Sequence, residues 1–189
     1  MKNPTVWVLA VSFFLALLSM LGVNFWAPTV MKELLHLTNQ QVGAVTGTIG
    51  VVGLTGMLIN GWHSDRTGER LMHAVIPVLL GMTGLIVAGT SRHPILVVTG
   101  LALVTICHST IMPAFWCLPS FFLRGAGAAV GIALINSVGT FGGFVGPNIV
   151  GILKNTTGSY SPPFYTLALL AFGAATLMAW LRTTHAFSK

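Results

Sequence analysis

Charge is what this sequence has least of. Only 6% of its 189 residues are Asp, Glu, Lys or Arg, against roughly 25% in a soluble domain, and three of them are acidic: Glu33, Asp65 and Glu69. That scarcity excludes a surface solvated by water on all sides. The net charge is +6, but the nine basic residues stand singly along the chain, without the clustered patch that a nucleic-acid surface needs. Cysteine is nearly absent too. Cys107 and Cys117 lie ten residues apart in one apolar run. On a helix that is about 15 Å of rise, out of disulfide reach, so they read as free thiols packed as small hydrophobes. There is no Walker loop, no His/Cys group with metal-ligand spacing and no order of Ser, His and Asp that makes a triad. No enzyme, metal or cofactor is expected.

What the chain does have is apolar length. It is 54% hydrophobic with a mean hydropathy of +0.85, so lipid must be the solvent for much of it. Six apolar runs are each long enough to span a bilayer: about 5–31, 42–62, 71–90, 95–123, 126–153 and 164–181. The first is too long for a signal-peptide core. It ends in Asn24, Phe25, Trp26 and Pro28, a polar and aromatic rim suited to the membrane interface. Thr38 or Asn39 reads as the cap of the second helix. The second and fifth runs are rich in glycine, which lets helices approach closely, and Pro113 and Pro119 are expected to kink the fourth. The fold class is therefore all-α membrane protein, with residues 1–189 as a single six-helix domain.

The stretch Gly61-Trp62-His63-Ser64-Asp65-Arg66-Thr67-Gly68-Glu69-Arg70 gathers two of the three acidic residues between two apolar runs. Charge is costly at the bilayer centre, so it reads as a short polar loop at the membrane surface, its two glycines serving a tight turn. Six spans put both termini on one side. Lys2, Arg66, Arg70, Arg124, Arg182 and Lys189 fall on that side, against Lys32, Arg92 and Lys154 on the other. By the positive-inside bias the termini are cytoplasmic.

The pattern Gly61-x-x-x-Asp65-Arg66-x-Gly68-x-Arg70 resembles the cytoplasmic loop motif of the major facilitator superfamily. Further stretches resemble its anion:cation symporter branch: Phe25-Trp26-x-Pro28, Phe115-Trp116-x-Leu118-Pro119-Ser120, Gly131-Ile132-Ala133-Leu134-Ile135-Asn136-Ser137 and Gly142-Gly143-Phe144-Val145-Gly146-Pro147. The resemblance covers essentially the whole chain, but only as helices seven to twelve of a twelve-helix transporter. It implies uptake of a small organic anion (a carboxylate such as tartrate or a sugar acid), proton-coupled, by rocking of two six-helix halves in a bacterial inner membrane. It also implies a partner: a missing amino-terminal half or a second copy of this chain. The rival readings are a half-transporter acting as a dimer and an inert or assembly-only membrane fragment.

Three residues are candidates for substrate contact. Asn136, about 15 Å into the fifth span, presents an amide that can hydrogen-bond a carboxylate or hydroxyl, or glue neighbouring helices. His108, mid-way along the fourth span, is either a proton-coupling group or a satisfied interior histidine. Trp116, two turns further along, stacks on substrate, rims the cavity or merely packs. Asn24 and Trp26 read as interfacial anchors. For Gly61, Asp65, Arg66, Gly68 and Arg70 the plain reading is a solvated loop, and the resemblance implies a conformational latch onto the opposite half. No acidic residue falls inside a span, so no coupling carboxylate is evident in this chain.

Overall fold

The computed structural model describes residues 4–183; Lys2 and Lys189 of the charge tally lie outside the described residues. The chain runs through six helices: α1 (Pro4–Leu35), α2 (Asn39–Thr67), α3 (Leu71–Thr90), α4 (Pro94–Cys117), α5 (Ala126–Thr157) and α6 (Ser161–Trp180). All six are long and apolar enough to cross a membrane. Short 3-10 turns follow α4 (Leu118–Phe121) and α6 (Leu181–Thr183).

Several helices outrun the apolar stretches that announce them. α2 continues through most of the charged stretch to Thr67, and α5 continues past Lys154 to Thr157. Polar side chains end a membrane span but not a helix; what ends these two is glycine. Gly68 and Gly158 adopt φ of 68°, the left-handed conformation that costs glycine nothing. This corrects the reading of Gly61 as a turn residue: it lies inside α2, and a Cβ there would meet Pro113 at an ordinary 3.5 Å. α4 stops earlier than its apolar run. Pro119, inside the 3-10 turn, offers no N–H to continue the helix. At the start of α2, Thr38 is the cap. Its hydroxyl accepts from Gln41 N–H, and its own N–H donates to Gln41 Oε1 at 2.9 Å, a reciprocal capping box.

α1 is the hub. It packs against α5, α6 and α4, while α3 packs against α4 and α6. α2 leans mainly on α4, and α5 mainly on α1. Burial follows this order: 67% of the most apolar window of α1 is buried, but 17% of that of α2 and 22% of that of α5. α5 buries a single stripe, Gly131, Ile135, Gly139, Gly142, Gly146 and Val150, at the three- and four-residue spacing of one helix face. Four of those six are glycines: Gly131 and Gly139 make room for the Leu123 and Phe13 side chains, and at Gly142 and Gly146 the backbones touch. A Cβ on Gly142 would strike the Phe14 carbonyl and come within 2.9 Å of Leu18 N, and one on Gly146 would strike the Leu18 carbonyl.

Prolines inside spans orphan carbonyls, and one of these is answered from another helix. Pro77 cannot donate to His73 O, four residues back. The side-chain amide of Asn60, on α2, donates to His73 O at 3.0 Å and to Thr110 O of α4 at 2.9 Å, joining three helices at one point. At the opposite end of the bundle Glu33 (α1) accepts from Tyr160 Oη at 3.0 Å, with Lys154 Nζ (α5) 3.6 Å away. Lys154 also lies 3.9 Å above the Tyr160 ring. Burial, with the Glu33 carboxylate beside it, pushes the Tyr160 phenol above its usual range, so the hydroxyl keeps the proton it donates.

The α2–α3 joint is built from its own charges. The Glu69 carboxylate accepts from Met72 N–H at 2.8 Å and His73 N–H at 3.3 Å, closing orphan donors at the start of α3. His73 Nδ1 lies 3.0 Å from the same carboxylate, and His73 Nε2 lies 2.6 Å from His63 Nδ1. Ser64, fully buried, donates to Glu69 O at 2.9 Å, and Arg70 pairs with Asp65.

Burial alone raises the Glu69 pKa, but the bonds from Met72 and His73 outweigh it and hold the carboxyl below its ordinary value. A depressed carboxylate stabilises the fold above its unfolded pKa and stops doing so as pH falls through the folded one. Glu69→Gln is expected to cost about 1 kcal/mol at neutral pH. That difference closes as pH drops below the ordinary carboxylate range, as read by thermal unfolding in nanodiscs at a series of pH values. Gly142→Ala is expected to cost about 1–3 kcal/mol by forcing α1 and α5 apart. Gly47→Ala, whose Cβ meets nothing within 4 Å, is expected to be neutral or stabilising. Equal loss in both would show that the α1–α5 contact is not the tight one.

Candidate functional site

Of the predicted contact residues, Asn136 sits on α5, one of the two most open helices, and His108 and Trp116 sit on α4. Asn136 is exposed on α5, and its backbone carbonyl takes the Thr140 hydroxyl at 2.7 Å. α5 spans Ala126–Thr157, so Asn136 lies about 8 Å from the helix midpoint, on the side of its amino terminus. Trp116, half-buried near the end of α4, meets Phe13 of α1 edge to face at 5.2 Å between centroids. Phe13 also stacks on Phe115 at 4.3 Å and occupies the space that a side chain at Gly139 would need. Gly139 is less than one turn from Asn136, so Phe13 wedges between the stretch that carries Trp116 and the stretch that carries Asn136.

His108 stands apart from that pair. It lies eight residues before Trp116, about 12 Å of helix rise away and near the middle of α4. Its Nδ1 is buried without a hydrogen-bond partner. One turn earlier, the Thr105 hydroxyl donates to Asn24 Oδ1 of α1 at 2.6 Å. Asn24 and Trp26 are therefore not surface anchors. Trp26 Nε1 donates to Pro147 O of α5 at 3.0 Å, and its ring meets Tyr160 edge to face at 6.3 Å. Both side chains are engaged by neighbouring helices, Asn24 by α4 and Trp26 by α5. The Asn24–Thr105 bond joins residues 81 positions apart and has no local signature; sequence reasoning missed it for that reason.

No charged residue among those described lies in the middle of a helix; Lys32, Glu33, Asp65, Arg66 and Lys154 all fall in the last turns or just before them. The polar equipment in mid-bundle is neutral: amides, hydroxyls, one imidazole. Such groups can hydrogen-bond an anion's oxygens in a low-dielectric setting but do not neutralise it. An apolar cleft of about 480 Å³, lined by Phe14, Ser137, Val138 and Phe141, includes none of the three candidates.

Of the loop-motif residues, Asp65 and Arg70 are brought together. Arg66 lies exposed over the Trp62 ring, 5.4 Å from its centroid. Gly68 makes the turn, and Gly61 packs inside α2. Ser64, Glu69 and His73 carry as much of the joint as the motif itself.

Comparison with known proteins places this arrangement. The family described as Major Facilitator Superfamily matches residues 1–147. A putative tartrate transporter of Agrobacterium vitis is 39% identical over 176 residues, which is 93% of this chain and 40% of that protein. A quinolone resistance transporter of Acinetobacter baumannii is 36% identical over 90% of this chain and 39% of its own length. The putative metabolite transport protein NicT of Pseudomonas putida is 30% identical over 88% and 38%. The chain thus spans about two-fifths of the length of these relatives. With six spanning helices, a matching family over most of its length and relatives named as transporters, the chain is an integral membrane protein that belongs to the Major Facilitator Superfamily.

Proposed function

We propose that this chain is the carboxyl-terminal six-helix half of a transporter that carries a small organic anion (a carboxylate such as tartrate or a sugar acid) together with a proton. The observation that carries the reading is the likeness to the tartrate transporter, 39% over nearly the whole of this chain but only two-fifths of that protein. Transporters of this build bind substrate between two repeats that rock about it. The exposure of α2 and α5 fits: Val51, Leu54, Leu58, Phe141 and Phe144 stand on the outside of the six-helix unit, where a second half, or a second copy of this chain, would pack.

In this reading Asn136 hydrogen-bonds a carboxylate or hydroxyl of the anion. Trp116 supplies an apolar wall held by Phe13. His108, the one imidazole in mid-helix among the described residues, is the proton-handling candidate on this side. The cation that offsets the substrate's charge and any coupling carboxylate come from the partner half. Arg66 and Arg70 put the joint between α2 and α3 in the cytoplasm of a bacterial inner membrane, with both termini on that side. Asp65, already paired with Arg70, is placed to exchange that partner for a helix amino terminus of the other half, so that the loop latches one conformation.

Asn136→Ala is expected to insert normally and to raise KM for tartrate uptake about tenfold, the worth of one hydrogen bond to a charged group; unchanged uptake kinetics would remove Asn136 from the site. An immunoblot of native membranes against the chain's carboxyl terminus is expected to show a species, continuous or cross-linkable, of roughly twice the 20.0 kDa of this sequence. A lone 20.0 kDa band that captures no partner and supports no uptake would overturn the half-transporter reading.

A further inference from the structure

Away from the Gly61–Arg70 end, α1 and α4 share a small polar node. The Thr105 hydroxyl donates to Asn24 Oδ1 at 2.6 Å, with Leu101 O at 3.1 Å as a second acceptor. His108 follows Thr105 by three residues, on the same side of α4, and its Nδ1 is buried with nothing to bond. Buried polar atoms nearly always have partners, and leaving one orphaned costs free energy. Asn24, Thr105 and His108 are each only half-buried, so the node borders accessible space, with the Nδ1 atom itself covered.

The donor inventory says what would complete it. The bond from Thr105 uses the acceptor of the Asn24 amide and leaves that group its two N–H donors. The imidazole adds a ring nitrogen. No charged side chain among the described residues shares the node. A ligand that satisfies it brings oxygen atoms able to accept, and in part to donate, hydrogen bonds: the hydroxyl and carboxylate oxygens of a hydroxy acid.

We propose that Asn24, Thr105 and His108 form a second, neutral subsite for those oxygens, distinct from the Trp116–Asn136 end. The inference rests on the organic-anion reading above. The two ends are about 12 Å apart along α4, further than a compact hydroxy acid reaches, so substrate occupies them in succession. Neutral hydrogen bonds suit a way station, because binding on a transport path must be weak enough to release.

The test uses the transporter purified from its native membrane into lipid nanodiscs. L-tartrate, D-gluconate and gallate serve as probes. Two readouts run in parallel: calorimetric affinity and the 15N signals of the His108 ring, assigned by their loss in His108→Gln. Binding of at least one probe is expected to shift the His108 signals saturably. Asn24→Leu and Thr105→Val are expected to weaken that binding about tenfold. Thr105→Val keeps the side chain's shape, so it decides the matter if Asn24→Leu fails to fold. A probe that binds while the His108 signals stay fixed and the folded variants keep wild-type affinity overturns the subsite and leaves the anion reading standing. Absence of saturable binding by all three probes overturns both.

Discussion

The bundle depends on the seam where α5 lies against α1. α5 buries one stripe and little else, and that stripe is mostly glycine. In lipid there is no hydrophobic drive between helices, so association rests on close packing and interhelical hydrogen bonds. Gly142 and Gly146 let the two backbones come into van der Waals contact. Gly139, two turns below Gly146, makes room for Phe13 instead. The same seam thus fixes α5 to the hub and positions the aromatic wedge that sets Trp116 relative to Asn136. Without it, the open face of α5 has no defined relation to α4.

A second constraint is the need to satisfy polar backbone far from water. Pro77 frees the His73 carbonyl in mid-sequence, and Asn60 answers it while also reaching Thr110 O on α4. Trp26 adds a different tie, donating to the Pro147 carbonyl of α5 from α1. These bonds are few, and each links different helices, so they specify register in a core whose apolar side chains would tolerate sliding. The charged joint beside Asn60 is more local: Glu69 caps α3, Ser64 braces the turn, and Arg70 holds Asp65.

Much of this was legible in the sequence. Hydropathy alone located six spans, because charge cannot sit in their middles, and the stretches around Trp116 and Asn136 stood out by resemblance to a family. Helix ends were not legible. Hydropathy reports where lipid stops, whereas Gly68 and Gly158 decide where the helix stops. The long-range partners were hidden as well. Asn24 looked like a rim residue because Trp26 and Pro28 follow it, and nothing near it in the chain points to Thr105. Asn60 passes for one more polar residue at a span end until Pro77 is seen beside it. Gly61, counted as a turn residue on the strength of its neighbours, turned out to be helical and packed against Pro113.

The cluster of Glu33, Lys154 and Tyr160 carries a mechanical consequence. It gathers the carboxyl-terminal ends of α1 and α5 and the amino-terminal end of α6 at one corner, and Trp26 adds a tie to Pro147 just below. At its other end α5 begins at Gly125 and Gly127, where a Cβ would meet nothing within 4 Å. A helix of 32 residues is about 48 Å long. The corner fastens its last turns and the buried stripe from Gly131 to Val150 fastens the stretch before them, so only the first turn stands clear and α5 is built to move with α1 as one piece.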